Sequence, residues 1–306
     1  MDFALSILEQ GLIYGILALG VYITYKILDF PDLTVDGSFP LGSAVTASLL
    51  TKGVNPYLSL LIAFLAGVLA GACTGLIHVK GKVRDLLSGI IMMTALYTVN
   101  LMIAGSNNVP LFAQDTIFSN RFLEGITGGN IPGYAVILLI LLVALISKLL
   151  LDFYLKTRSG YLLRAVGDNE LLVTSLAKDK GNVKILGLAI SNGLVALSGS
   201  VFCQQQGVFD ISSGTGSMVI GLASVIVGTS LFRVVSKIGP FRKKSYIKVT
   251  TFVFVGAILY KACTGLAIRY FVPQSMKMIS ALFLLAVLLL MLVFDNMDKK
   301  KVKKNA

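Results

Sequence analysis

GYAVILLILLVALISKLLL, residues 133–151, is 19 residues long, and its single charge, Lys148, lies near one end. At about 1.5 Å of rise per residue, one helix of that length covers about 30 Å, the hydrocarbon thickness of a bilayer. Comparable apolar runs recur at 5–25, 57–78, 87–105, 184–205, 247–265 and 277–294, separated by short polar stretches. The chain therefore crosses a membrane repeatedly and is not anchored by one tail. Outer-membrane barrel strands alternate apolar and polar over about ten residues, and these runs do not. Two further segments, SFPLGSAVTASLLT at 38–51 and GSMVIGLASVIVGTSLF at 216–232, are shorter and interrupted by glycine, and the first contains Pro40. Irregular backbone at membrane depth has to be covered by protein or line a cavity, so both are predicted as short or broken helices inside the bundle. The expected fold is all-α: a polytopic helical membrane protein with about nine membrane segments, forming a single domain over 1–306.

Composition agrees. Of the 306 residues, 56% are hydrophobic and 14% charged, with a mean hydropathy of +0.84. An ordinary soluble chain is about 45–50% apolar and about 25% charged. The net charge of +12 would indicate nucleic acid in a soluble protein, but cytoplasmic loops of membrane proteins carry the same excess, and no nucleic-acid partner is expected. With nine crossings and the C-terminus cytoplasmic, every Lys and Arg except Lys52, Arg121, Lys261, Arg269 and Lys277 falls on the inner side. The expected topology is N-terminus outside and C-terminus inside, with 295–306 as a basic cytoplasmic tail. MDFALSILEQGLIYG has no basic n-region and no small-residue cleavage site, so the first run reads as a retained span. Cys73, Cys203 and Cys263 lie singly in apolar runs, without metal-ligand spacing.

The two halves correspond loosely. A long apolar run precedes a glycine-rich segment in each: 5–25 before DGSFPLGSA at 36–44, and 184–205 before SSGTGSMVIGLAS at 212–224. In the expected topology the glycine-rich segments run in opposite directions, as in a weak inverted repeat with a pathway between its halves. Ordinary close packing of small residues between helices produces similar spacing.

Reactive chemistry is sparse. The Gly81-Lys82 pair is followed by Val83, and Leu76 stands where a phosphate-cradling loop needs its first glycine, so no nucleotide loop exists in this sequence. The apolar runs hold almost no ionisable residues, against the pattern of a proton-coupled carrier. Asp2, Glu9, Asp29, Asp32, Asp36, Asp210 and Asp295 lie at or near the expected helix ends, and the lone His78 closes a span beside Lys80. A hydrolytic triad or a metal centre has no material here, and neither catalysis nor a metal site is expected.

The segment KTRSGYLLRAVGDNELLVTSLAKDKGNVK, 156–184, is too long for a turn. Gly160 to Leu176 can form an amphipathic helix with Leu162, Leu163, Val166 and Leu172 on its apolar side and Arg164, Asp168, Asn169 and Glu170 on its polar side. Two readings stand at this point: a helix lying on lipid headgroups, or one docked into the groove of a cytoplasmic partner.

Gly160-x-x-x-Arg164-Ala165-x-x-x-Asn169, followed by Lys184 and GLAISNGLVALSGSVF, resembles the coupling-helix region of permease subunits in the branched-chain amino acid and ribose group of ABC importers. ILDFPDLTVDGSFPLGSAV at 27–45 and GLASVIVGTSLF at 221–232 are similar to that group too, particularly to its tryptophan-type permeases, and the likeness runs from about residue 8 to 294. The resemblance implies a permease subunit that imports a small solute, with aromatic amino acids favoured and branched-chain ones next, across the plasma membrane of a prokaryote by alternating access. It implies no enzyme activity and no cofactor in this chain. ATP is used by separate cytoplasmic ABC ATPase subunits, alongside a second permease copy or paralogue and an extracytoplasmic solute-binding protein. Gly160, Leu163, Arg164, Ala165, Gly167 and Asn169 would carry the coupling. The alternative is a self-contained secondary carrier or channel.

Candidate pathway residues are Asp36, Ser38 and Phe39, which open the first broken segment near the expected cytoplasmic face, the lone amide Asn192, and Gln204, Gln205 and Gln206 at the outer end of that helix. A buried amide in a bilayer needs partners, so Asn192 either joins helices or lines the pathway. The loop 106–132, with Asn107, Asn108, Asn120, Asn130, Asp115, Arg121 and Glu124, is the candidate dock for a binding protein, or a plain solvated connection. ILDFPDLTVDG reads as an inner-gate turn or as a simple loop.

Overall fold

The computed structural model describes residues 2–119, 133–169, 179–236 and 248–270, together with Met278, Leu282, Leu285 and Leu289. The expected span 277–294, apart from those four residues, the 295–306 tail and residues 120–132 of the 106–132 loop lie outside them. The helices are α1 (Asp2–Val21), continued by a π-helical turn Tyr22–Ile27, α2 (Val35–Thr51), α3 (Pro56–Val79), α4 (Asp85–Ala104), α5 (Gly133–Tyr154), α6 (Arg158–Asp168), α7 (Lys180–Gln206), α8 (Ser217–Val235) and α9 (Val249–Tyr270). Two short strands, β1 (Asn108–Pro110) and β2 (Val208–Asp210), pair antiparallel, and a 3-10 turn at Ile211–Gly214 leads into α8.

Among the described residues, seven helical stretches are long and apolar enough to cross a membrane: Phe3–Ile27, α3, α4, Tyr134–Tyr154, α7, Ile211–Val235 and Val249–Ala267. The expected broken segment at 216–232 is α8, 19 residues set off from the preceding 3-10 turn by Thr215 and the left-handed Gly216 (φ 84°); turn and helix together span the 25 residues Ile211–Val235. The other short segment is α2, which has only 17 residues.

Burial sorts the bundle. The most apolar window of α7 is 72% buried and that of α1 with its π turn 61%, against 22% for α4 and for α5. So α7 and α1 form the interior, and α4 and α5 the wall. The wall presents Leu138, Leu142, Leu145 and Leu149 outward, as a lipid-facing surface must.

Glycine sets how closely the inner helices approach. Gly67, Gly71 and Gly75 recur every four residues on one stripe of α3, where α7 lies directly against them at Asn192, Leu188 and Ile185. Further along the same stripe of α7, Gly42 of α2 meets the Ala196 carbonyl and Gly199 receives the Phe39 carbonyl. Lipid tails are as apolar as leucine, so helices in a bilayer associate through such backbone proximity rather than through exclusion of water.

α1 and α3 run parallel to each other and antiparallel to α7, because α2 carries the chain back between them; α4 then reverses α3, and α5 reverses α4. This brings Lys80, Lys82, Arg84, Arg158, Arg164, Lys184 and Lys248 to one end of the bundle, called here the basic end. There Asp152, near the end of α5, accepts hydrogen bonds from Thr250 Oγ1 (2.8 Å) and Lys248 Nζ (2.8 Å), which ties α5 to the start of α9.

The α3–α7 contact yields a stability prediction. A Cβ on Gly71 would collide with the Leu188 carbonyl. Gly71→Val should destabilise the detergent-solubilised protein by about 1–3 kcal/mol or more, lowering its Tm. Gly105→Asn, at a left-handed position (φ 77°) with nothing within 4 Å, should leave Tm nearly unchanged, because Asn tolerates that conformation.

Candidate translocation pathway and coupling face

After Ile27 the chain turns back into the bundle without helix. Asp29 sits at φ 52°, a conformation Asp tolerates better than most residues. Phe30 packs edge-on against His78 at the end of α3, so this turn begins at the basic end. His78 Nδ1 is hydrogen-bonded to the Val83 carbonyl at 2.8 Å.

From there the segment climbs to Asp32, which is fully buried, as are Ser38 and Asn192. Asn192 Nδ2 donates to Asp32 Oδ2 at 2.7 Å and to the Leu188 carbonyl at 3.0 Å, and its Oδ1 accepts from Ser38 Oγ at 2.7 Å. Asp32 Oδ1 accepts from the Thr34 backbone N–H at 2.9 Å. Thr34 reaches across to Thr74 of α3, hydroxyl to hydroxyl, at 2.9 Å. A carboxylate out of water is tolerable only with such partners. Asn192 is thus shown as a joint between two stretches of chain.

Asn192 stands midway along α7, against Gly67 and Gly71 midway along α3, and Gly37 rests on Met93 and Leu96 midway along α4. The start of α2 therefore lies near the middle of the bundle. The expectation that Asp36, Ser38 and Phe39 begin near the cytoplasmic face is corrected, because the irregular stretch from Leu28 to Thr34 covers that depth first.

Asp36 binds the start of α8. Its Oδ1 accepts from the Met218 N–H (2.7 Å) and Ser217 Oγ (3.0 Å), and its Oδ2 from the Gly216 N–H (3.1 Å). A carboxylate there satisfies free N–H groups and sits favourably against the helix dipole. From this point α2 runs along the second half of α7, through Ser43 Oγ to the Gly199 carbonyl (2.8 Å) and Thr46 to Ser200 (2.5 Å). In the other direction, α8 passes Leu17 and Val21 at Gly221 and Phe252 at Gly228, toward the basic end. The two glycine-rich segments thus diverge from one mid-bundle junction, as an inverted arrangement requires.

A cavity of about 360 Å³ lies beside this junction, walled by Asp36, Pro40, Tyr97, Asn100, Ser212 and Thr215. The other candidates sit elsewhere. Phe39 is fully buried, stacked on Tyr14 (5.7 Å between centroids) and tilted against Phe202 (5.4 Å). Gln204 is buried and uses both ends of its amide, donating to Ser59 Oγ (3.2 Å) and accepting from the Ile117 N–H (2.9 Å). Gln205 Nε2 donates to Glu9 Oε2 at 2.9 Å, and Gln206 Nε2 to the Gln205 amide. Lys261, sorted to the outer loops by charge counting, lies within α9, its Nζ 3.6 Å from the Tyr14 ring centroid. A ring face is a favourable place for a poorly solvated cation.

At the basic end, α6 forms over Arg158–Asp168, and Asn169 ends it in extended conformation. The expected continuation to Leu176 is corrected to that extent; residues 170–178 lie outside the described ones. The helix is two-faced. Gly160, Leu163 and Val166 are buried. Gly160 packs on Leu155, Gly167 on the Ile27 carbonyl, and Leu163 beside Leu28 over Gly187. Tyr161, Arg164, Asp168 and Asn169 are exposed, and Ala165 is partly buried between the two faces. Of the expected coupling residues, Gly160, Leu163 and Gly167 therefore fasten the helix to the bundle, while Arg164 and Asn169 face outward.

The family model described as "branched-chain amino acid transport system / permease component" matches residues 3–292. The chain belongs to this permease family. It is 42% identical over its whole length to a tyrosine transport system permease protein of Clostridioides difficile, covering 96% of that protein. A probable branched-chain amino acid transport permease protein of Methanocaldococcus jannaschii is 28% identical, over 70% of each chain. The ribose import permease protein of Escherichia coli K12 is 27% identical, over 74% of this chain and 69% of the other. No solved structure matches. Permeases of this family are the membrane subunits of ABC importers and not enzymes, so the chain is a multi-pass transport permease.

Sequence reading missed Asp32 and Asn100 as partners of the pathway candidates. Its available signal was the run of acids in ILDFPDLTVDG, too dense for a plain surface turn beside an apolar span. The Asp32–Asn192 joint makes its own prediction. Asn192→Leu leaves the buried Asp32 carboxyl without its amide partner, a loss of about 1–3 kcal/mol or more, and should sharply lower recovery of folded permease. The exchange Asp32→Asn with Asn192→Asp keeps the hydrogen bond across the joint and should restore much of the wild-type yield in size-exclusion chromatography.

Proposed function

We propose that this permease imports an amino acid, with aromatic ones favoured and branched-chain ones next, across a prokaryotic plasma membrane, driven by separate ATPase subunits. The observation that carries the reading is the two-faced α6. A helix resting on headgroups would turn its apolar side to lipid, whereas α6 turns Leu163 and Val166 into the bundle and offers Tyr161, Arg164 and Asp168 outward. An aromatic and an arginine on one exposed face are the residue types that anchor protein interfaces. That favours a protein partner over the self-contained carrier or channel. The basic end is then cytoplasmic, with the N-terminus outside and the C-terminus inside.

ATP is bound by the partner, since this sequence has no phosphate-cradling loop. A second copy or paralogue completes the pathway. Thr94, Tyr97 and Thr98 are exposed on α4 beside the cavity that holds Asp36, and a carboxylate with irregular backbone at mid-depth is not left open to lipid. The outer end, with β1 and β2, receives the extracytoplasmic binding protein. The similarity to the tyrosine permease supports an aromatic amino acid as cargo. Closure of the ATPases would move α6, and through Gly167 on Ile27 and Leu163 beside Leu28 the turn that leads to Asp32 and α2.

Isolation of the tagged chain from native membranes in mild detergent should recover an ATP-hydrolysing subunit. Arg164→Glu should weaken that association by roughly thirtyfold, about 2 kcal/mol, while the permease itself remains folded in the membrane. Recovery of the chain alone, with transport intact after reconstitution, would instead establish a self-sufficient carrier. A cytoplasm-active reporter fused after Ala306 should give signal, and silence there would reverse the orientation.

A further inference from the structure

The mid-bundle cavity holds hydrogen-bonding capacity that the protein leaves unused. Asn100 is fully buried in its wall; its Nδ2 donates to the Gly37 carbonyl at 3.0 Å, and its Oδ1 has no partner. A buried acceptor without a partner costs about 1–3 kcal/mol, so such an atom calls for an explanation. Rotating the amide would set its oxygen against the Gly37 carbonyl, which excludes that remedy. Next to Gly37, Asp36 accepts three hydrogen bonds from the start of α8. A carboxylate has about four acceptor positions, so one remains, on Oδ2.

No Lys, Arg or His lines the cavity among the described residues, and Asp36 is its one carboxylate. Asn100 Oδ1 and the open position on Asp36 are acceptors, one of them anionic, while the Tyr97 and Thr215 hydroxyls on the same wall can donate or accept; a cationic donor complements the first pair. Pro40, Met93 and the Tyr97 ring supply apolar wall, and about 360 Å³ lies within the range of small-molecule sites, about 300–1,000 Å³.

We propose that this cavity is a transient cargo site that receives a primary ammonium group between Asn100 Oδ1 and Asp36, with the cargo's side chain against Tyr97 and Met93. It rests on the amino-acid import reading and adds which end of the zwitterion the permease holds. The site discriminates against neutral sugars and against acids without an amine. Because Asp36 also caps α8, occupancy bears directly on the junction from which α2 and α8 diverge.

The test uses the detergent-purified complex, with whatever subunits accompany it, and reads Tm against three probes: L-tyrosine, tyramine, and 3-(4-hydroxyphenyl)propionate, which lacks the amine. L-Tyrosine and tyramine should raise Tm saturably, and the propionate should not. Asn100→Leu should raise the half-saturating tyramine concentration about tenfold or more, the loss of one hydrogen bond to a charged group. Asp36→Asn keeps an oxygen for the start of α8 while removing the charge, so it should weaken tyramine similarly even if Asn100→Leu folds poorly. An equal shift with the propionate, no shift with any probe, or shifts that survive both substitutions would overturn the proposal. Whether an ATPase accompanies the complex is scored separately, so failure of the importer reading and failure of this site are told apart.

Discussion

The structure depends on a carboxylate placed where water cannot reach it. Asp32 is fully buried in an apolar bundle, and a polar group left there without hydrogen-bond partners costs about 2–7 kcal/mol, a large share of a domain's stability. Its solution is Asn192, the amide midway along α7, which donates to Asp32 with one face and receives Ser38 with the other. That arrangement holds the irregular chain after Ile27 against the interior helix and sets where α2 begins. A 17-residue helix starting at mid-depth follows from it, because the residues before it are committed to the joint.

Close backbone packing makes the joint possible. The glycines of α3 bring Asn192 within reach of a chain segment that larger side chains would hold away, and Gly42 and Gly199 do the same for α2. In a bilayer this proximity does double duty, since it supplies dispersion contact where hydrophobic exclusion is absent and brings polar groups to hydrogen-bonding distance. The junction of α2 and α8 uses the same economy. One carboxylate, Asp36, satisfies the first free N–H groups of α8 and lines a cavity.

The basic end and the centre are linked by continuous covalent chain and packing. Gly167 of α6 sits on the Ile27 carbonyl, and Leu163 and Leu28 share the surface of Gly187. Four residues beyond Leu28 is Asp32, and four beyond that is Asp36. A displacement of α6 would therefore act on the turn that carries Asp32 and leads into α2 at Asp36, without any long-range relay through unrelated parts of the bundle.

Much of this was legible in the chain itself. The apolar runs fell within a few residues of the helices, because hydrophobic length is a local property and a bilayer reads it directly. The segment holding α6 stood out for its length and polarity, and α2 for its glycines and Pro40. What could not be read were pairings between distant residues. Asp32 and Asn192 are 160 positions apart, and an acid beside an apolar span looks the same whether it faces water or an amide. The same holds for Lys261 against Tyr14, and for Asn100, whose unpaired oxygen means nothing until Gly37 and Asp36 are beside it. The sequence by itself determined the membrane class, most of the spans and the amphipathic character of the segment that holds α6. Tertiary structure alone decided the depth at which α2 starts and the chemistry of the cavity, because hydrogen-bond satisfaction in a dry interior depends on which helices lie side by side.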